Sequence, residues 1–290
     1  MSNEEGRSDD HRAAPYSFGE NWQVSKLELA RRLARKKRNQ RNILIAGLSS
    51  FVVLGGLAIL IFTSPGFKVF SQTFFKWAYG IEVLPKVILG FATNVTLTII
   101  ASICVAIIGL TIALVRTSRS PTFTPFRILA TVYVDLFRGI PMLLVILLVG
   151  FGVPALQIKG FTNNVLVLGT LAVIITYSAY VAEVLRSGIL SIHPSQRSAA
   201  RSLGLTNFQT LRFVIMPQAL RRVTPPLLND LVALIKDTGL VSILGVTDAV
   251  RAAQIQTSRS FNYTPYIIAA VLFLCITVPV SYTHLTLPTI

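Results

Sequence analysis

The run "ILIAGLSSFVVLGGLAILIF", residues 43–62, holds no charged side chain in 20 consecutive positions. A stretch of ~20 apolar residues is what an α-helix needs to cross ~30 Å of hydrocarbon. Lipid offers no partner to a backbone N–H or C=O, so a segment that pairs its own backbone is required there. This predicts an all-α integral membrane protein. Five further segments read as spans, at about 94–115, 128–155, 165–186, 218–236 and 263–280, which gives six transmembrane helices. Charged residues make up 13% of the chain, against ~25% in a soluble domain, so most of the surface faces lipid or other apolar helices.

The net charge is nonetheless +15. The Lys and Arg residues sit beside apolar runs, as expected where they hold loops on the cytoplasmic side, and no nucleic-acid-binding signature accompanies them. Membrane lipid, not nucleic acid, is the expected partner of this charge. "RRLARKKRNQRN" at 31–42 predicts a cytoplasmic N-terminus ahead of the first span. Residues 1–42 read as a basic cytoplasmic tail, either a solvated arm that sets topology or, in part, a basic amphipathic helix lying on anionic lipid. They are too long and too basic for a signal peptide. Residues 63 to about 90 are expected to form an outer loop with interfacial aromatics. No Lys or Arg occurs after Arg259, and "SYTHLTLPTI" at 281–290 reads as a non-native or truncated end, with a genuine short apolar end as the other reading.

Catalytic chemistry finds no support. Cys104 and Cys275 lie inside apolar runs, and His11, His193 and His284 are far apart, so no metal-ligand spacing exists. There is no G-x-x-x-x-G-K-[ST], hence no phosphate-cradling loop. The chain is expected to bind no cofactor and to move something, not transform it.

Between two apolar segments lies "SAARSLGLTNFQTLRFVIMPQA", 198–219. Pro194 suits the first position of a short helix. Ala199, Ala200 and Leu203 share a face, with Gln196, Arg197 and Arg201 around the rest. Gly204 suits a left-handed C-terminal cap. Thr206 with Gln209 fits a capping box, Phe208, Leu211 and Ile215 repeat at helical spacing, and Pro217 marks the next break. Two short helices around a glycine turn are unstable alone. The loop is therefore either a connector lying on the bilayer or a knob for a cytosolic partner.

This stretch resembles the EAA loop of binding-protein-dependent ABC importer permeases, with Ser198, Ala199, Ala200, Gly204, Met216 and Pro217 at the motif positions. "FRGIP" at 137–141 is similar to "FRGTP" of the polar amino acid branch, and "PPLLNDLVALIKDTGLVSILGV" at 225–246 to its "PPL-N----L-KDTSL" segment. The resemblance covers about 92–280, a five-helix permease core, with 43–63 as an added helix and 194–217 as the coupling loop. Ser198 replaces the family's acidic residue, Gly239 replaces a serine, and the usual basic C-terminal end is missing. The resemblance implies a bacterial inner-membrane subunit that imports polar amino acids. It would work with a second permease copy or a related permease, a cytosolic ABC ATPase dimer that uses ATP and Mg, and an extracytoplasmic amino-acid-binding protein. Gln196, Ser198, Ala199, Ala200, Leu203, Gly204, Phe208 and Pro217 would then form the ATPase-coupling surface.

Ionisable residues at membrane depth usually line a pathway or pair with each other. Asn229, Asp230, Lys236 and Asp237 are the translocation-pathway candidates, with interfacial snorkelling as the other reading of Lys236 and Asp237. Glu183 with Arg186, and Asp135 with Arg138, are expected to pair along their helices. An ion-gradient-driven secondary transporter is the alternative function, although no internal repeat of the kind such folds show is evident.

Overall fold

The computed structural model describes residues 25–118 and 120–286. The expectations for residues 1–24 and 287–290 lie outside the described residues. The described chain is helical, with no strand among the described residues, and divides into two units, up to Phe67 and from Lys68 onward.

In the first unit, α1 is one unbroken helix, Lys26–Thr63. Ser25 caps it by accepting from the Glu28 N–H at 3.2 Å. It therefore joins the basic segment and the first apolar run without a break. α2, Pro65–Phe74, straddles the boundary of the units.

The second unit begins in α2 and continues with α3, Trp77–Thr117. The outer loop expected at 63–90 is thus helical except at Ser64 and at a short break after Phe74. Lys68, Glu82 and Lys86 signal departure from hydrocarbon, but charged residues do not stop a helix. Then follow α4, Thr124–Gly139, and α5, Met142–Ala155, which meet at a bend of 107°. One span was expected here. Pro141 disfavours helical geometry at the residue before it, and Ile140 is extended at φ −94°, ψ 132°. α6 is Val165–Leu190 and α7 is Pro194–Ser202. A one-turn helix Asn207–Gln209 and a π-helical stretch Thr210–Ile215 lead into α8, Met216–Asp237. Pro217 therefore does not break the chain. A proline ring collides with the carbonyl four residues back, and the chain widens into π geometry instead. A 3₁₀ turn Thr238–Leu244 precedes α9, Ala249–Ser260, and α10, Thr264–Thr286, so residues 281–286 continue the last helix.

Among the described residues four helices are long and apolar enough to span, or five if α4 and α5 count as one bent span. The fifth expected span, 218–236, falls in α8, which has the length but carries Arg221, Arg222, Asn229, Asp230 and Lys236.

The second unit is assembled on α3. Its buried positions include Val83, Val87, Gly90, Asn94, Leu97, Ala101 and Val105, a stripe at three- and four-residue spacing. α3 packs chiefly along α6, while α9 and α10 cover its first half. At Gly90 a Cβ would lie 2.5 Å from the Asp248 carbonyl oxygen, so only glycine admits the turn before α9. Asn94 closes that junction. Its amide donates to Asp248 Oδ2 at 3.0 Å and Thr238 Oγ1 at 3.3 Å, and its Oδ1 accepts from the Ala249 N–H at 3.0 Å.

Candidate functional site

The segment after α6 is built by local chemistry. His193 caps α7, its Nδ1 accepting from the Ser195 N–H at 3.3 Å, with Pro194 in the first turn. The helix stops at Gly204, whose φ of +82° lies in the left-handed region that glycine enters without a Cβ penalty. The stop is a complete Schellman motif: Leu205 N–H donates to the Ala200 carbonyl at 3.2 Å and Gly204 N–H to that of Arg201 at 3.0 Å. Thr206 and Gln209 then form the expected capping box, at 3.2 and 2.8 Å.

The loop's apolar residues divide by face. Ile215 packs with Ile189, Ile192 and Ala219, and Leu211 lies against them. Ala200 is buried, so it packs inside the chain and offers nothing to a partner. Leu203 is 83% exposed and Phe208 67%. Gln196, Ser198, Ala199, Gly204 and Pro217 are exposed with them. Phe213, at 63%, joins the exposed set without having been singled out. Its signal was present in the sequence as an aromatic adjoining Arg212, outside the Phe208–Leu211–Ile215 repeat. Exposed apolar groups of this kind, rimmed by polar side chains, mark interaction surfaces.

The four polar residues of α8 separate into two pairs. Asp230 and Asp237 are seven residues apart and share one face, and Asn229 and Lys236 share another. The second pair is exposed. Asp237 Oδ2 accepts from the Tyr177 hydroxyl at 2.8 Å. A cavity of about 320 Å³ between α3, α6 and α8 is lined by Ser102, Tyr177, Asp230 and apolar side chains including Val105, Leu227 and Leu234. The buried Oδ2 of Asp230 and the Oγ of Ser102 have no partner among the described residues. Ser102 and Tyr177 were not legible as site residues, because hydroxyls inside apolar runs are ordinary.

Near the end of α3, Glu183 accepts from Arg116 at 2.6 Å and from Arg186 at 2.6 and 3.0 Å. The expected Glu183–Arg186 pair forms, and Arg116 joins it from 67 residues away. Arg138 does not pair with Asp135. Its guanidinium lies 6.0 Å from the ring centroid of Tyr180, a cation–π distance. Tyr180 is itself 6.0 Å from the ring of Tyr177, so Arg138 reaches toward the cavity wall.

Residues 107–285 match the model of a family described as "Binding-protein-dependent transport system inner membrane component". The chain belongs to this family. The arginine transport system permease protein ArtQ of Bacillus subtilis (strain 168) is 31% identical over 194 residues, 67% of this chain and 86% of that protein. The putative glutamine transport system permease protein GlnP of Rickettsia conorii is 32% identical over 208 residues, 70% of this chain and 93% of that one. A crystal structure of an amino acid ABC transporter with histidines is similar at a TM-score of 0.63 and 34% identity, over 70% of this chain and 92% of that one. In this inner membrane component the family match takes in the whole 194–217 loop and all four polar residues of α8 and leaves α1 outside. Its several apolar helices make it a multi-pass membrane protein.

Proposed function

We propose that this chain is the permease subunit of an ATP-driven importer that carries polar amino acids across the bacterial cytoplasmic membrane. It lies with its N-terminus and its 194–217 loop inside. The observation that carries the reading is the loop: a short helix closed on left-handed Gly204, with Leu203 and Phe208 exposed beside it. Burying those side chains calls for a partner, and the likeness to transport permeases supports a cytosolic ABC ATPase dimer in that role. ATP and Mg are used there, not on this chain. A second copy of the chain, or a related permease, completes the pathway, and an extracytoplasmic binding protein delivers the amino acid.

ATP binding would shift the helix pair between two discrete packings. α7 leads through the π-helical stretch directly into α8, so a displacement of the loop is passed to the helix that bears Asp230 and Asp237. Those two carboxylates face α6, and the unpartnered Asp230 oxygen offers a site for a cationic group in transit. Asn229 and Lys236, exposed on the single chain, would face the second permease. The names of the relatives support an amino acid as cargo.

The test is affinity purification from native membranes through an N-terminal tag. A P-loop ATPase is expected to accompany the wild type and to be lost on Gly204→Val. Recovery of the intact protein without an ATPase overturns the coupling assignment.

A further inference from the structure

α1 is longer than its membrane task requires. At 1.5 Å per residue its 38 residues measure ~57 Å, while a bilayer with headgroups is ~40–45 Å thick. The apolar part, from Ile43 onward, accounts for ~30 Å of this. The remainder, from Lys26 to Asn42, continues as the same helix and is long enough to pass through a headgroup layer.

That remainder carries Arg31, Arg35, Lys36, Lys37, Arg38 and Arg41. At about 100° per residue these six leave no arc of the helix wider than about 100° without a positive charge. An amphipathic helix lying flat on a membrane needs an apolar face to bury, and this helix has none of sufficient width. A charge set distributed all round instead suits a helix that leaves the bilayer endways, with phosphates on every side. The axial register agrees. Arg41 is two residues from Ile43, ~3 Å along the axis, and Arg38 and Lys37 follow at ~8–9 Å, the depth of the headgroups, which their flexible stems also reach. The one acidic residue of the segment, Glu28, is held by Arg32 at 3.2 Å, which leaves these six uncompensated within α1.

We infer that residues 31–41 of α1 form a collar that binds the phosphates of anionic lipids in the cytoplasmic leaflet. The collar concentrates such lipids around the first span, and its occupancy depends on lipid charge and on salt. A soluble polyanion such as RNA would meet the same charges, but it has no reason to match their register with the apolar run.

The experiment uses the full chain reconstituted into nanodiscs of mixed phosphatidylcholine and phosphatidylglycerol. Each lipid is spin-labelled in turn, and the motionally restricted fraction is read by EPR. The expected result is a severalfold selectivity for phosphatidylglycerol at about 0.1 M salt that falls toward none near 1 M, where the screening length is ~3 Å. The variant R35Q/K36Q/K37Q/R38Q/R41Q loses the selectivity, and R31K/R35K/R38K/R41K keeps it. Discs expose both leaflets, so an altered insertion direction in the glutamine variant does not affect the reading. If that variant cannot be purified, the salt titration and the lysine variant decide. Selectivity that is absent, indifferent to salt or unchanged by the glutamines overturns the proposal, as does displacement of the labelled lipid by added RNA or polyphosphate.

Discussion

Asn94 shows how one side chain can organise a membrane protein. It satisfies a carboxylate, a hydroxyl and a backbone N–H from segments more than 140 positions away, inside an apolar environment where each unmet group costs ~1–3 kcal/mol. Asn94→Ala is therefore expected to destabilise the fold by at least ~2 kcal/mol, read as a lowered midpoint of thermal unfolding in detergent. Thr96→Ala, on the exposed side of the same helix, should have little effect. Asp230 presents the opposite case. Its buried, unpartnered oxygen costs stability, and such a cost is retained where function requires it. Asp230→Leu is expected to raise the unfolding midpoint and to abolish uptake of labelled amino acid by proteoliposomes holding the complete transporter. A fall in both would assign the carboxylate to the fold instead.

For the elements, the loop between α6 and α8 permits the sharpest test. A residue with a Cβ in the left-handed region costs ~1–2 kcal/mol, and asparagine is the side chain best tolerated there. Gly204→Val should lose ATPase copurification while the protein still inserts and elutes as before, and Gly204→Asn should retain most of it. Leu203→Ala and Phe208→Ala remove side chains that the chain itself leaves exposed. Each is expected to leave the unfolding midpoint unchanged and to weaken ATPase binding about tenfold or more, the range of a central contact, measured by titration of the purified partner. Helix ends were less legible than helix existence. Hydropathy locates where a segment leaves lipid, and α3 simply continues outward past that point. Pro141 and Pro217 look alike in sequence, yet one ends a helix and the other is absorbed by a π-helical turn. The difference is whether the surrounding packing accommodates a widened turn.

At the scale of the molecule, the proposed orientation places the 194–217 loop inside and the α9–α10 turn outside. In a chain with Cys104 and Cys275 replaced, Ser202→Cys should react with a membrane-impermeant maleimide only in inside-out vesicles. Ser260→Cys should react only in right-side-out ones. The reverse pattern would invert the topology and remove the loop from any cytosolic ATPase. The Arg116–Glu183–Arg186 cluster ties α3 to α6 at one end of their contact. Removing one member of a partly buried cluster leaves the other charges uncompensated. Glu183→Gln should therefore lower stability by more than the double change Arg116→Gln, Glu183→Gln.

The sequence by itself determined the class of the protein, its main spans and the architecture of its exposed loop. Those features depend on interactions within a few residues: a proline in a first turn, a glycine at a left-handed stop, Thr206 with Gln209 in one capping box. The family motifs were readable because they lie in such contiguous stretches. Tertiary structure alone decided that Ala200 turns inward while its neighbour Ala199 does not. It decided that Arg116 joins Glu183, that Arg138 turns from Asp135 to Tyr180, and that Tyr177 holds Asp237 while Asp230 Oδ2 is left without a hydrogen-bond partner among the described residues. Each depends on which side chains a neighbouring segment presents, and helical periodicity within one segment carries no record of that.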